Sequence, residues 1–553
     1  MRKNTYLFLD TIVLGLAGAL AAQIFNFLLR WINDFSLRYI AGYISPGLPN
    51  EGGTLNQVIG PHGLWLVPLV IVIGGIISGI IVYRYAPEAE GHGTDTAVKA
   101  FHQTGGKIRT RVAPIKIITS AITIGTGGSA GREGPAALFS AGIGSIYSKI
   151  FKRPDRDRRL LVLIGMASGL SAIFRSPIGT AIFATEVLYS DMEFEAPALI
   201  FTLLGSIIAY AVNGIFSGWA PLFQIPSNIG IKNISDYALY GILGLTSGIF
   251  GTIIPNVFYG LRDLFHKLKI PPHFKPAIGA LGVGLIALVF PQVLGGGYGW
   301  IQLAINGQIL IGTLIFLMFA KLAAFALTVS SGGSGGVFAP TLFVGAMLGG
   351  CLAIVFHEPS AAFAVVGMAA VFGSAARVPI ATLLMVTEMT GGYQLLVPAG
   401  LAVSLAFLVQ DFLSAKLKYR SLYEAQVKRR SDSPAHRTEH LKKAVKLLAE
   451  KKSISSEFIG RLDIISLLKS NISLKMPEGN HLYLGRVGKK SRCVGTRIKD
   501  DCGIENNDQF EIAAIIRDEN LIFPEPNTTL EEDDQLLIFG KKPKLDELKK
   551  ILL

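Results

Sequence analysis

The chain has 553 residues, of which half are hydrophobic and 16% are charged, and its mean hydropathy is +0.47. These values exclude a water-soluble globular protein and indicate a polytopic membrane protein. The net charge of +13 arises from basic residues in loops and near the C-terminus, so it indicates membrane orientation and not nucleic-acid binding. Cys351, Cys493 and Cys502 have neither disulfide nor metal-ligand spacing, and we expect no metal site.

Residues 5–30 and 64–84 are predicted as the first two membrane helices, separated by an external loop over 42–63 that is rich in Gly, Pro and Asn. No small-residue cleavage site follows Met1, so the first helix is expected to be retained. Several later apolar segments are shorter than the about 20 residues that cross a bilayer, which indicates broken and re-entrant helices. They span 113–124, 136–150, 160–174, 178–189, 197–216, 236–262, 276–290, 308–329, 341–356, 362–375, 379–389 and 394–414.

A glycine-rich break at Gly127–Pro135 carries an arginine and a glutamate, Arg132 and Glu133, between apolar segments. Charges inside a membrane are costly and usually functional. The break frees backbone N–H groups at the start of the helix over 136–150, and such a helix start attracts anions. The stretch therefore predicts an ion site.

The break occurs twice. Gly332–Pro340 follows the same frame, with Val337 in place of the arginine and Phe338 in place of the glutamate. The segment from Arg175 to Glu186 likewise recurs from Arg377 to Glu388, in the same order. This pattern predicts an internal duplication with broken helices around a site at mid-membrane. Glu186 and Glu388 are expected to be partners of the two arginines or helix-terminal groups.

The composition changes after Tyr423. Residues 424–472 are charged and predict a helical cytoplasmic linker, with Leu441, Val445 and Leu448 at helical spacing. Residues 473–553 predict a small cytoplasmic α+β domain. Its expected strands and closing helix are Phe510–Arg517, Leu521–Pro524, Gln535–Gly540 and Lys544–Leu552.

With the motifs Gly131–Pro135 and Gly336–Pro340, roughly residues 5–430 resemble the CLC family of chloride channels and proton-coupled chloride exchangers. Residues 1–423 are expected to form the transmembrane anion transport domain. The resemblance implies a mainly α polytopic fold with an inverted repeat, and a homodimer with one anion pathway per subunit. It assigns Glu133 as the gating carboxylate, which competes with the anion and moves aside when protonated. The Tyr423 hydroxyl would donate to the central anion. Four residues would line the pathway with backbone N–H groups: Arg132, Gly134, Val337 and Phe338.

Two positions depart from the family pattern. The family's first signature is usually Gly-Ser-Gly-Ile-Pro, and here it reads Gly91-His92-Gly93-Thr94-Asp95. His92 or the loop amides would then bind the anion, which leaves the preferred anion open, and a protonated His92 would bind it more strongly. Many exchangers carry an inner proton-transferring glutamate one place after Glu186, where this chain has Val187. Valine carries no proton, so Glu186 or His92 would have to substitute.

The C-terminal residues 473–553 resemble the TrkA-C (RCK-C) regulatory domain of potassium-conductance regulators, on the Ile512–Arg517 strand, Pro524 and the Asp533-Asp534 step. The resemblance implies a prokaryotic protein in which a cyclic dinucleotide such as cyclic di-AMP, or an ion, binds to the tail. We expect no other cofactor.

We predict chloride transport across the cell membrane by proton-coupled exchange, with a passive chloride channel as the alternative. An enzyme is a further, less favoured alternative. Gly127–Gly131 fits G-x-S-x-G, which with His92 would make an intramembrane serine hydrolase. That motif needs a strand, turn and helix, which an apolar helix break does not supply. A potassium transporter is suggested by the tail alone and lacks a carbonyl filter sequence.

Overall fold

The computed structural model describes residues 2–436 apart from 228 and 232, and, nearer the C-terminus, residues 474–475, 481–488, 491–498, 510–517, 520–525 and 527–540. The chain divides into two compact units, Met1–Lys428 and Arg429–Leu553.

The first unit is helical, as the apolar composition requires. Within the described residues up to 428 there are sixteen α-helices. They are α1 (Arg2–Asn33), α2 (Leu66–Tyr85), α3 (Thr94–Gln103), α4 (Val112–Gly125), α5 (Glu133–Ile150), α6 (Asp155–Phe174), α7 (Pro177–Glu186), α8 (Ala196–Ser217), α9 (Ile234–Lys267), α10 (Lys275–Val289), α11 (Tyr298–Ile305), α12 (Ile311–Ser330), α13 (Phe338–Phe356), α14 (Ser360–Ala376), α15 (Pro379–Thr390) and α16 (Leu396–Ser414). Residues 42–63 contain only a 3-10 turn at Pro49–Glu51 and a two-stranded ladder, β1 (Tyr43–Ile44) with β2 (Val58–Ile59).

Eight helical segments in the described part of the chain are long and apolar enough to cross a membrane. They are Tyr6–Ile40, Leu66–Tyr85, Ala196–Ser217, Ile234–Lys267, Pro272–Val289, Ile311–Ser330, Phe338–Phe356 and Tyr393–Ser414. Apolar helices of 10–17 residues, including α4, α14 and α15, accompany them. The protein is therefore a multi-pass membrane protein, as predicted.

Two helices were missed in the sequence, and one ends earlier than predicted. The helices α3 and α11 have only 10 and 8 residues, which is shorter than the about 11–18 residues over which a helical period is recognised. Helix α7 ends at Glu186, although the apolar run continues to residue 189. Tyr189 instead forms an isolated parallel bridge with Val427.

The duplicated segments occupy equivalent places in the fold. Helix α5 packs on α6, and α13 packs on α14. The two copies of the glycine-rich break meet at an isolated antiparallel bridge between Gly131 and Gly336. This antiparallel relationship is the one that an inverted repeat requires.

The second unit contains a five-stranded antiparallel sheet with strand order β3-β4-β7-β5-β6. Its strands are β3 (Leu474–Lys475), β4 (His481–Arg486), β5 (Phe510–Arg517), β6 (Asn520–Ile522) and β7 (Gln535–Gly540). Ile512, Ile515, Leu536 and Ile538 belong to its buried core. The predicted strands Phe510–Arg517 and Gln535–Gly540 are confirmed. The strand predicted over Leu521–Pro524 instead spans Asn520–Ile522, and β3 and β4 were not predicted. The predicted linker helix with Leu441, Val445 and Leu448 and the closing helix Lys544–Leu552 lie outside the described residues.

Candidate functional site

The starts of α5 and α13 meet at the centre of the first unit. Gly131 N donates to Gly336 O at 2.8 Å, and Gly336 N donates to Gly131 O at 2.7 Å. Arg132 and Val337 occupy the N-cap positions of the two helices, and neither side chain caps its helix. The first N–H groups of two helices are thus available in one buried region, which is the arrangement that binds anions.

Glu133 places its carboxylate at the start of α13. The side chain is 2% exposed. A Cβ at Gly131 would lie 2.0 Å from Glu133 Oε2 and 3.1 Å from Ala339 N, so only glycine leaves room for the carboxylate beside that amide. Neither carboxylate oxygen makes a hydrogen bond of good geometry among the described residues. A buried carboxylate therefore lies beside the amide of Ala339, where a helix start would attract an anion.

The loop before α3 lies against the start of α5. A Cβ at Gly134 would lie 2.1 Å from His92 O, and Gly93 has a φ of +87° that favours glycine. The buried His92 ring lies 5.5 Å from the Tyr423 ring between centroids. Tyr423 is itself buried, with its hydroxyl next to Thr94. The structure thus brings together His92, Gly93, Gly134 and Tyr423, as predicted from the sequence motifs.

Asp95 extends this group toward solvent and was missed in the sequence. His92 Nε2 lies 3.2 Å from Asp95 Oδ2, and the Asp95 side chain is 23% exposed. The Tyr259 hydroxyl, which donates to Leu422 O at 2.8 Å, lies 3.4 Å from the same oxygen, and Ala425 N donates to Oδ1 at 3.2 Å. The spacing of three residues between His92 and Asp95 was the available signal, because such residues are neighbours at a helix start.

Val337 and Phe338 are fixed at the start of α13 by aromatic packing. The Phe338 ring lies 4.4 Å from the Phe174 ring and 4.3 Å from the Phe372 ring between centroids. Val337 and Phe338 are 2% and 3% exposed. The helix start is therefore held rigidly by α6 and α14.

The Arg132 side chain is committed to an ion pair. Its guanidinium donates to both oxygens of Glu51, at 2.6 and 3.3 Å, and lies 4.9 Å from the centroid of the Tyr298 ring. Burial disfavours the charged Glu51, but the facing Arg132 outweighs burial and lowers the pKa of that carboxyl. The pair lines a cleft of about 190 Å³ beside residues Gly295–Gly297. The side chain of Arg132 thus has a structural partner, and its backbone N–H belongs to the helix start.

Two buried lysines hold the loops on either side of the helix starts, and neither was found in the sequence. Lys116 Nζ donates to Ala89 O at 2.8 Å and to Gly91 O at 2.7 Å. Lys321 Nζ donates to Val293 O at 2.8 Å and to Gly295 O at 2.7 Å. The two lysines occupy corresponding places in the two repeats, since Lys116 precedes Arg132 by the same number of residues as Lys321 precedes Val337. This equal spacing could have identified them in the sequence.

Glu186 and Val187 do not join the cluster around Glu133. Glu186 is fully buried and accepts hydrogen bonds from Ile380 N at 3.2 Å and Ala381 N at 2.7 Å, at the start of α15. Val187 is a buried apolar residue directly after α7. Glu186 therefore caps the start of α15, a helix of the other repeat.

The second repeat shows the reciprocal contact. Glu388 accepts hydrogen bonds from the first residues of α7, including Gly179 N at 2.8 Å and Ser176 Oγ at 2.5 Å. The expectation that these glutamates are helix-terminal groups is confirmed. The alternative, that they are partners of Arg175 and Arg377, is wrong. Arg175 donates to backbone carbonyls, and Arg377 pairs with Asp411.

The fold does not support the alternative of an intramembrane serine hydrolase. Ser129 follows helix α4 and not a strand, so the nucleophile elbow is absent from this described region. Its Oγ is buried without a hydrogen-bond partner among the described residues, while His92 faces Asp95. Ser334 hydrogen-bonds Thr119 and Ser120 and packs the repeats together.

The fold and the duplicated anion-attracting helix starts define a membrane transport protein of the CLC type. Residues 74–411 match the family described as Voltage gated chloride channel, and residues 484–553 match the TrkA-C domain. The first match covers more than half of the chain, so the chain belongs to the CLC family of chloride channels and exchangers. Members of this family are transporters and not enzymes.

Relatives and solved structures agree with this assignment. The chain is 30% identical over 386 residues to the H(+)/Cl(-) exchange transporter ClcA of Salmonella agona (strain SL483) and to that of Salmonella newport (strain SL254). Each match covers 67% of this chain and 81% of the relative. The fold is similar to a CLC-type fluoride/proton antiporter, with a TM-score of 0.65, 24% identity, and 78% and 99% coverage of the two chains. A slow cyanobacterial Cl-/H+ antiporter gives a TM-score of 0.64, 23% identity, and 76% and 96% coverage.

Proposed function

We propose that the protein exchanges chloride for protons across the membrane. The anion must displace the Glu133 carboxylate, and the proton must bind to it. The observation that carries the proposal is the place of the Glu133 carboxylate, which is buried beside the amide of Ala339 at a helix start. The name of the ClcA relatives, H(+)/Cl(-) exchange transporter, supports the same reaction.

The anion would occupy the space that the carboxylate vacates. Backbone N–H groups of Arg132, Gly134, Val337 and Phe338 supply partial positive charge without a mobile cation. On the other side of Gly134, the hydroxyl of Tyr423 and the loop of His92 and Gly93 supply further donors. Because these donors are neutral, a halide is held weakly enough to leave, as transport requires.

The proton would enter at Glu133. Protonation removes the negative charge of the carboxylate, so the side chain no longer competes for the helix start and an anion can take its place. Release of the proton restores the carboxylate and expels the anion. Glu133 thus excludes the anion when it is ionised and admits the anion when it is protonated, and this couples the proton flux to the chloride flux.

A passive channel is the second candidate, because Val187 provides no second proton-carrying group after Glu186. The test is transport by the full-length protein in liposomes under a chloride gradient with no initial pH gradient. An exchanger uses the flow of chloride to move protons and so builds up a pH gradient, and a channel does not. Proton accumulation supports our proposal, and chloride flux without it supports the channel.

We further propose that the protein is a homodimer with a separate pathway in each subunit, supported by its family membership. The TrkA-C domain is proposed as a cytoplasmic regulatory domain that binds a cyclic dinucleotide such as cyclic di-AMP, or an ion, and the combination suggests a prokaryotic membrane. Calorimetry with the full-length protein and cyclic di-AMP tests the ligand. Absence of binding heat, with transport intact, would remove the nucleotide.

A further inference from the structure

Proton coupling requires a route between Glu133 and solution, and the apolar Val187 cannot carry a proton. Glu186 is fully buried, and its two oxygens accept hydrogen bonds from Ile380 N and Ala381 N. Both oxygens are thus occupied by the start of α15, and the side chain does not reach solvent. A residue that links Glu133 to solvent is therefore sought elsewhere.

His92 and Asp95 form a pair that links the buried cluster to solvent. The His92 side chain is 7% exposed and the Asp95 side chain is 23% exposed, with Nε2 and Oδ2 3.2 Å apart. His92 Nδ1 is buried and has no hydrogen-bond partner among the residues that the structure describes. One ring nitrogen is thus free inside the protein, and the other contacts a carboxylate that reaches water.

The same histidine lies next to the residues that hold the anion. Its backbone oxygen approaches Gly134, the neighbour of Glu133, and its ring lies against the Tyr423 ring. Phe258 covers the ring at 6.2 Å between centroids. Histidine is the side chain best suited to accept and release protons near neutral pH, with two nitrogens that can act in sequence.

We propose that His92 and Asp95 are the inner proton-transfer pair of this chain, in place of the acidic residue that position 187 lacks. This inference rests on the proposed proton–chloride exchange. The Glu133 carboxyl releases a proton, which reaches His92 Nδ1 through water in the pathway. The resulting imidazolium gives its Nε2 proton to the Asp95 carboxylate. Asp95 then releases that proton to solution, and exchange of the neutral ring between its tautomers restores the Nε2–H group.

A second histidine nearby provides a matched control. His102 Nε2 lies 3.0 Å from Leu188 O, and its ring lies 5.6 Å from the Tyr189 ring between centroids. It is buried, and its ring packs against Phe101 and Tyr189. We assign it no part in proton transfer.

The test uses full-length His92→Gln, Asp95→Asn and His102→Gln in liposomes, with chloride and proton fluxes recorded together. Glutamine can keep a polar contact with Asp95 but cannot accept and release a proton near neutral pH. His92→Gln should therefore lower the ratio of proton flux to chloride flux by about tenfold or more. Asp95→Asn should behave alike. His102→Gln should retain the wild-type ratio of protons to chloride.

The outcomes separate this inference from the proposed function. Wild-type ratios in both His92→Gln and Asp95→Asn would overturn the proton-transfer pair while leaving the exchange mechanism intact. Loss of both fluxes in a monodisperse His92→Gln protein would also overturn it, since His92 would then act on the anion. A wild-type protein that moves chloride without protons would instead refute the exchange itself.

Discussion

Gly131 and Gly336 exchange two backbone hydrogen bonds, at 2.8 and 2.7 Å, across the junction of the two repeats. This contact brings the starts of α5 and α13 together and places the Glu133 carboxylate next to an amide from the other repeat. A Cβ at Gly336 would lie 2.7 Å from Gly134 N, so neither glycine can carry a side chain without movement. The duplication therefore builds the site from both halves of the chain.

Gly131→Ala should displace the gate. The added Cβ would lie 2.0 Å from Glu133 Oε2, so the carboxylate must leave its place beside Ala339. We expect chloride flux that depends less on pH than in the wild type, measured by efflux from liposomes at acidic and neutral pH. Gly350→Ala in α13 is the control, because the nearest atom to its Cβ is a Leu314 methyl group at 3.3 Å. Unchanged pH dependence in Gly131→Ala would contradict this location of the gate.

Glu186→Gln should reduce stability and spare proton coupling. The substitution removes the charge that caps α15. It also leaves the amide of Ile380 or Ala381 facing an NH2 group, which lowers the free energy of unfolding by about 1–3 kcal/mol. Glu388→Gln, at the equivalent place on α7, should have a similar effect. Thermal unfolding measures the loss of stability. If Glu186→Gln lost proton transport with unchanged thermal stability, Glu186 would be a proton carrier and our structural assignment would fail.

Glu51→Gln should shift the pH dependence of transport. Arg132 would lose its carboxylate partner, and its uncompensated charge would favour the ionised form of the neighbouring Glu133. The pH at which chloride flux rises should therefore move downward, which a flux series from about pH 4 to 8 would reveal. Glu88→Gln is the control, because it breaks the ion pair of Glu88 with Arg109, which is more exposed than the pair of Glu51 with Arg132. A shift to higher pH, or equal shifts in both variants, would speak against this electrostatic link.

Much of the fold could be predicted from the sequence. Apolar runs locate the membrane helices because burial in lipid or protein demands them, and the repeated frame at Gly127 and Gly332 locates the two helix breaks. The short helices α3 and α11 could not be found in this way, because 10 and 8 residues are too few for a helical period to be recognised.

The side-chain partners were harder to predict. The pair of Arg132 and Glu51 joins residues far apart in the chain, and nothing in either local sequence specifies the other. Lys116 and Lys321 lie in apolar helices, where composition alone marks them as exceptions without naming the carbonyls that they bind. Glu186 and Glu388 each cap a helix of the opposite repeat, which is visible only once the repeats are assembled.

The central claim is that Glu133 exchanges occupancy between a proton and the anion. The most direct test is the reversal potential of full-length protein in bilayers, under separate chloride and pH gradients, for the wild type and Glu133→Gln. We predict that the wild-type reversal potential moves with the pH gradient. In Glu133→Gln it should follow the chloride gradient alone, because a neutral amide no longer takes up and releases a proton. A Glu133→Gln protein whose reversal potential still moves with the pH gradient would contradict the account.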